Sequence, residues 1–348
     1  MWPWRWNRSL VAELRDNLFS IIVPVRAYND YCRESLGECR RLYPNQELLF
    51  SPDAPCEVPF EGVTVIPSGA VGPSVKRDLC AKVAKGEILA YLDDDAYPEA
   101  GWLEAAAEVF ENPELAGLGG PAVTPPHDSV ARWASGLVYA SMLAGGPYAY
   151  RYMPLPARPV DDYPTCNLLV RKSVMAEIGG FGTEFWPGED TVACLRITHQ
   201  LKKRMAYDPR VLVYHHRRDM YRGHLRQVNS YALHRGYFVK KFPETSLRPS
   251  YFAPSVLLAG ITLGWIPGLW FQAYARLWLA GLGFYLGLLT FESLRMAAGA
   301  PSEKRGLKLW WLTASGIAVT HLSYGWYFLR GLMSPRLHEE KGDGNGNG

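Results

Sequence analysis

Over the first 250 residues, apolar positions come in short blocks separated by polar turns. FSIIVPV (Phe19–Val25) is continuously apolar, rich in β-branched residues and ends at a turn, so it predicts a buried strand. ELLF (47–50), VTVI (63–66) and EILAYL (87–92) predict three more. Between the last two, Ser74–Lys85 predicts a helix with Ser74 as N-cap and Gly86 just past its end, and Thr191–Lys202 predicts another. Strands alternating with helices imply an α/β domain, a Rossmann-like, mostly parallel sheet with helices on both faces. Ligands of such sheets bind beyond the carboxyl ends of the strands. The segment Pro121–Tyr163, rich in Pro, Gly and Tyr, shows few strand or helix signals and is expected to cover one side of such a site and to include a mobile lid.

After residue 250 the pattern changes. Phe252–Phe271 is a run of twenty uncharged residues and Leu309–Leu329 one of twenty-one, each long enough to cross a hydrocarbon core. The shorter Leu277–Phe291, flanked by Arg276, Glu292 and Arg295, is expected to span with its flanks snorkelling. Tryptophans lie largely toward the ends of these runs, and Arg295, Lys304, Arg305 and Lys308 place the loop before the last run in the cytoplasm. A domain preceding the first span then shares that side. At the amino terminus, Leu10, Val11, Leu14 and Leu18 share one helical face behind three tryptophans, which fits an interfacial helix or an ordinary surface helix. The organisation expected is an interfacial helix at 1–18, a catalytic domain at 19–212, a juxtamembrane segment at 213–250, about three transmembrane helices at 251–333 and a disordered tail at 334–348.

A net charge of +3 is too small to argue for nucleic acid as a partner. Six scattered cysteines form no C-x-x-C pair, so neither a zinc site nor a disulfide framework is signalled, and a reduced cytosolic setting fits the first 250 residues.

Three adjacent carboxylates repel one another, and AYLDDDAYP (90–98) places Asp93, Asp94 and Asp95 just beyond a predicted strand. Asp53 follows the preceding ELLF strand, so both sets reach the carboxyl edge. Carboxylates at such an edge suit a hard divalent cation, Mg²⁺ or Mn²⁺, whose shell a diphosphate completes.

The order SIIVPVRAYND, Asp53, PSVKRDLCAKVAKGEILAYLDDDAYP and IGGFGTEFWPGED closely resembles the family 2 nucleotide-sugar glycosyltransferases of GT-A fold, over about residues 18–240. The carboxy-terminal helices and HLSYGWYFLRG resemble membrane-anchored members that build surface polysaccharides on lipid carriers. The resemblance implies an inverting, metal-dependent enzyme that moves one sugar from a nucleotide-sugar to a lipid-linked acceptor at the cytoplasmic face of the plasma membrane. On that pattern Pro24, Asp53, Arg77, Asp93 and Asp94 would contact the nucleotide-sugar, and Asp95 with Asp93 would ligate the metal. Asp190 would be the general base, with Glu189 beside it. His215 or His216 would be a metal or diphosphate ligand, His216 being the one assigned. Arg217, Arg218, Gln227 and Arg235, from the basic, aromatic stretch 213–242, would meet the acceptor or lipid head groups. A homo-oligomer or further pathway enzymes are additional partners.

Where processive members carry Q-x-x-R-W, this chain has QVNSY (Gln227–Tyr231), which argues for one sugar per encounter. Three readings compete with this one: a synthase using polyprenyl phosphate itself as acceptor, a non-catalytic membrane scaffold, and a nucleotidyltransferase. Against the functional reading, Lys76 and Arg77 could be only the exposed face of a helix, and His321 a hydrogen-bonded imidazole inside the last span.

Overall fold

The computed structural model describes residues 14–183 and 185–337. In chain order the elements are β1 (Phe19–Pro24), α1 (Asp30–Leu42), β2 (Glu47–Ser51), β3 (Val63–Val65), α2 (Pro73–Val83), β4 (Ile88–Leu92), β5 (Ala96–Pro98), α3 (Trp102–Phe110), β6 (Leu115–Gly119), β7 (Ala122–Val123) and α4 (Val130–Ala140). They continue with β8 (Arg158–Val160), β9 (Asn167–Arg171), α5 (Lys172–Glu177), α6 (Glu189–Leu195), β10 (Arg204–Tyr207), β11 (Val213–His215), α7 (Arg222–Lys241), α8 (Pro243–Ser246), α9 (Pro249–Thr262), α10 (Gln272–Gly299) and α11 (Leu307–Met333).

The described residues divide into two compact units, one drawing on 14–123 and Met153–His216, the other on Thr124–Tyr152 and Arg217–Leu337. The linear partition expected from sequence differs on two points. Thr124–Tyr152 folds with the carboxy-terminal helices, and residues 213–215 are a strand of the first unit rather than the start of a juxtamembrane segment.

The first unit holds an eight-stranded sheet in the order β3-β2-β1-β4-β9-β6-β10-β8 and a small sheet β5-β11-β7. All six residues of β1 are buried, as a strand covered on both faces requires. β1 pairs in parallel with β2 on one side and β4 on the other, which makes a topological switch point at its carboxyl end. β9 enters antiparallel between β4 and β6. Its pairing depends on a distant segment, so no local pattern announces it. α2 begins at Pro73 with Gly72 as its cap, so Ser74 lies inside the helix instead of capping it. Gly86, after α2, has no room for a side chain: a Cβ there would sit 2.5 Å from the Ser20 amide nitrogen. The core joins Phe19, Ile21, Val23, Phe50, Ala90, Leu92 and Trp102, with Leu14 and Leu18 packed against it. Residues 14–18 are loop and turn, and residues 1–13 of the expected amino-terminal helix lie outside the described residues, as do 338–348 of the tail.

In the second unit, the supposedly signal-poor Pro121–Tyr163 contains α4, started by the Ser129 hydroxyl accepting from the Arg132 amide at 3.3 Å. Its sequence VARWASGLVYA is apolar almost all round because most of the helix is buried. The first apolar run forms α9 and a short 3-10 turn, Ile266–Leu269, and the second lies in α10. The stretches Pro249–Leu269 and Gln272–Gly299 are the two helical segments, among the described residues, long and apolar enough to cross a membrane. α11, the third run, is packed by α4, α7, α9 and α10. Two glycines mark its closest helix crossings: a Cβ at Gly331 would meet the Leu233 carbonyl oxygen at 2.0 Å, and one at Gly325 the Pro254 carbonyl oxygen at 2.5 Å.

Candidate active site

The carboxyl edge of the first unit gathers the carboxylates that the sequence pattern singled out. Pro24 closes β1 opposite Ser51 of β2, and Asp53 lies two residues beyond that strand. The Asp53 amide donates to the Arg26 carbonyl at 3.0 Å, and its carboxylate pairs with Lys76. The same ammonium donates to the Val25 carbonyl, so Lys76 ties the ends of β1 and β2 together. Only 3% exposed, Lys76 is buried; it is not part of a solvated helix face. A local pattern offered no sign of this, since the burial comes from the sheet edge that α2 covers.

Arg77, one position on and also 3% exposed, links the two carboxylate motifs. Its Nη2 donates to Asp93 Oδ1 at 3.0 Å and its Nη1 to Glu189 Oε1 at 2.8 Å. Its Nε is buried and has no hydrogen-bond partner among the described residues. Burial opposes charge on this guanidinium, but Glu189 and Asp93 outweigh it and hold its pKa above the ordinary value. Arg77 therefore spends one N–H of each terminal nitrogen on bridging residues 93 and 189.

The three aspartates of the turn after β4 point to different partners. Asp93 faces Arg77, and Asp94 accepts from Asn29 Nδ2 at 3.4 Å. Nearby, burial and then the Asp94 charge push the Cys32 thiol up to about 12, so it is neutral. Asp95, 5% exposed, has its Oδ1 3.0 Å from His215 Nε2. Strand register explains both neighbours of this cluster. β11 runs antiparallel to β5 with His215 opposite Ala96, which brings the imidazole to Asp95. β9 runs antiparallel to β4 with Asn167 opposite Leu92, which brings Cys166 beside Asp93. Cys166 Sγ lies 3.3 Å from His215 Nδ1, and ligand atoms of Asp93, Cys166 and His215 all fall within 4.8 Å of one another. With Asp95 alongside, two carboxylates and an imidazole form a donor set that fits a divalent cation such as Mn²⁺ or Mg²⁺.

His216, expected at the metal, turns elsewhere: its Nε2 lies 2.9 Å from Glu34 Oε2, and its ring packs on Tyr31. His215 brings its imidazole to the Asp95 carboxylate, while the His216 amide donates to the Asp95 carbonyl at 3.0 Å. Strand alternation accounts for this, since adjacent residues of an extended segment point to opposite faces.

Glu189 and Asp190 open α6 and are not equivalent. Glu189 is buried at 4% exposure and held by Arg77 and by the Gly188 amide, which donates to its Oε2 at 3.1 Å. Asp190 is half-buried and accepts from the Thr191 amide at 2.7 Å. A base needs an accessible lone pair, so Asp190 is the better candidate.

The four residues expected on the acceptor side lie in the second unit, where Arg217 and Gln227 both meet Tyr139. Arg217 stacks over Tyr152 and Tyr139, with its guanidinium carbon 5.1 and 6.0 Å from the ring centroids. Gln227 accepts from the Tyr139 hydroxyl and donates to Tyr231. Arg235 lies over Tyr251 and reaches Ser246, and Arg218 is exposed.

Residues 20–179 match the domain model described as Glycosyl transferase family 2, so the chain carries a family 2 glycosyltransferase domain in that stretch. Among curated proteins, the chain is 27% identical over 200 residues to a pre-mycofactocin glycosyltransferase of Mycobacterium tuberculosis, a match covering 56% of this chain and 39% of that protein. It is 26% identical over 162 residues to a glucosyl-dolichyl phosphate glucuronosyltransferase of Haloferax volcanii, covering 41% of this chain and 47% of that one. The chain thus spans less than half the length of these relatives. A solved structure of the mannosyltransferase PcManGT from Pyrobaculum calidifontis, in complex with GDP-Man and Mn²⁺, shares the fold with a TM-score of 0.51 at 17% identity, over 92% of this chain and 89% of that one.

Proposed function

We propose that the chain is an inverting, metal-dependent glycosyltransferase that moves a single sugar from a nucleotide-sugar to a lipid-linked acceptor, working at the cytoplasmic face of a membrane. The observation that carries this reading is the Arg77 bridge, which fixes the aspartate turn after β4 and the Glu189–Asp190 motif of α6 on one lip of the sheet. Asp95 and His215, with Asp93 beside them, would hold a divalent ion, which as a Lewis acid offsets charge on the departing diphosphate. Asp53, paired with Lys76 at the edge of the sheet, would accept hydrogen bonds from a nucleobase. Asp190 would take the proton from the attacking acceptor hydroxyl, and displacement from the face opposite the leaving group inverts the anomeric centre. The family 2 domain match and the PcManGT-like fold support the donor side of this reading, and the relative named for glucosyl-dolichyl phosphate supports a lipid-linked acceptor.

A second reading takes an acceptor other than a lipid, prompted by a relative named for pre-mycofactocin rather than for a lipid. One experiment separates the two. Purified chain is incubated with a panel of nucleotide-sugars, Mn²⁺ and either extracted membrane lipid or the aqueous extract, and the glycosylated product is identified by mass. A product in the lipid arm supports the first reading; a product in the aqueous arm alone supports the second. A polyprenyl-phosphate acceptor is distinguished by Asp190→Asn, which should remove most of the rate with a hydroxyl acceptor and far less with a phosphate oxygen. Release of pyrophosphate would point to nucleotidyl transfer, and wild-type function in Asp95→Ala to a scaffold.

A further inference from the structure

The sequence reads as three spans, but the second unit sorts its apolar helices into two kinds. α9 with its following turn, and α10, expose their apolar side chains: Leu263, Trp270 and Phe271 at the turn are 60–71% exposed, and Leu277 and Phe284 on α10 are 71% and 69% exposed. The two arms form a hairpin. The Trp278 indole donates to the Gly260 carbonyl at 2.9 Å, and Gly268 of the turn lies against Ala275. Its base is fixed on the rest of the unit, with the Ser255 hydroxyl donating to the Gly325 carbonyl and Glu292 accepting from the Met142 amide.

α11 is of the other kind. Leu309, Ile317 and Phe328 are fully buried, and from Ser315 onward the helix runs parallel to α7. Tyr221 meets Ser315 at 2.7 Å, His224 meets Thr320 at 2.9 Å, and Lys240 donates to the Ser334 carbonyl at 2.6 Å. α7 carries Arg222, Arg226, Arg235, Lys240 and Lys241 spread from end to end. Each such charge costs about 2.5–3.5 kcal/mol at a bilayer centre, so α7 stays out of hydrocarbon and α11, side by side with it, stays out too.

We infer that the chain enters the membrane as a single helical hairpin, α9 and α10, and that α11 is a core helix that never crosses. This inference rests on the membrane association proposed above and not on the reaction. Lipid is the occupant that the surface fits. Exposed apolar patches of soluble monomers rarely exceed about 300–600 Å², whereas here both arms are apolar over their length. Leu277–Phe291 is an uncharged stretch of 15 residues, which rises about 22 Å and reaches across a hydrocarbon core of about 30 Å with Arg276 snorkelling at its end. At the turn, Trp265, Trp270, Tyr274 and Arg276 are the residue types that settle among head groups. At the base, Arg248, Lys304, Arg305 and Lys308 offer cations to an anionic leaflet. Both ends of the hairpin, and α11 after it, then lie on one side of the membrane.

The test uses the full chain in intact cells, with exposed residues replaced one at a time: Phe271→Cys at the turn and Arg336→Cys beyond α11. Each variant is treated with a membrane-impermeant maleimide before and after permeabilisation, with the unsubstituted chain as background. The hairpin predicts labelling of Phe271→Cys in intact cells and of Arg336→Cys only after permeabilisation. Labelling of Arg336→Cys in intact cells would mean that α11 crosses, and protection of Phe271→Cys would mean that the hairpin does not; either overturns the inference. Release of the chain from membranes by alkaline carbonate would overturn it together with the proposed membrane association. Donor turnover by the same membranes is read separately and bears only on the reaction.

Discussion

Replacing Arg77 by Met isolates the contact on which the site is built. The side chain is 4% exposed and bonds to Glu189, itself 6% exposed, at 2.8 Å and to Asp93, 30% exposed, at 3.0 Å. Truncating one partner of a buried pair leaves the other charge uncompensated, at a cost of about 3–5 kcal/mol. Water screens Asp93, so the Glu189 arm dominates and the lower end, about 3 kcal/mol, is expected. For a unit of this size that lowers the melting temperature by about 6–12 °C. The assay is thermal and denaturant unfolding of the wild type, Arg77→Met, Glu189→Gln and the double variant. Because Gln removes the stranded charge, the double variant should recover part of the loss, with a coupling energy of about 2 kcal/mol. Arg77→Lys should fall between, since an ammonium cannot span two carboxylates as a planar fork does. A cost below about 1 kcal/mol for Arg77→Met, or additive effects in the cycle, would refute the bridge.

Other outcomes follow from the same geometry. Asp190→Asn should lower turnover by about 10²–10⁴-fold with little change in Mn²⁺ binding, measured by initial rates and calorimetry. Asp95→Asn and His215→Ala should each weaken Mn²⁺ binding at least about tenfold while Asp94→Ala leaves it nearly intact, read by titration in the presence of nucleoside diphosphate. His224 is held neutral between Ser135 and Thr320, and burial followed by the Arg217 charge lowers its pKa to about 4. The unfolded chain binds a proton there near 6.5 and the folded chain does not. Stability is therefore full above about pH 6.5 and falls as the pH drops toward 4, by about 2 kcal/mol at pH 5. Urea unfolding at pH 7.5 and pH 5 should show that loss, and His224→Gln should flatten it.

The strands of the first half and the aspartates beyond them were legible because each rests on a local signal: an apolar β-branched block, then carboxylates at a turn. What escaped was set by pairing across long separations. Cys166 reaches Asp93 only because β9 enters antiparallel beside β4, and His215 rather than His216 faces Asp95 because of the register of β11 on β5. Lys76 and Arg77 sit on a helix whose periodicity gives no hint that the sheet edge buries both. The carboxy-terminal helices show a different limit. A run of apolar residues reads alike whether lipid or protein covers it, and only burial distinguishes α11, packed among four helices, from the exposed arms of α9 and α10. The same ambiguity hid α4.

The central claim is that the edge holding Asp53, Asp93, Asp95, Glu189 and Asp190 transfers sugar from a nucleotide. The most direct measurement is release of nucleoside diphosphate by the purified full chain from a panel of nucleotide-sugars, with and without Mn²⁺ and with extracted lipid as acceptor. Mn²⁺-dependent release from at least one donor, stimulated by acceptor and abolished in both Asp95→Asn and Asp190→Asn, is the predicted result. No release from any donor, or release that persists in both variants, would contradict the account.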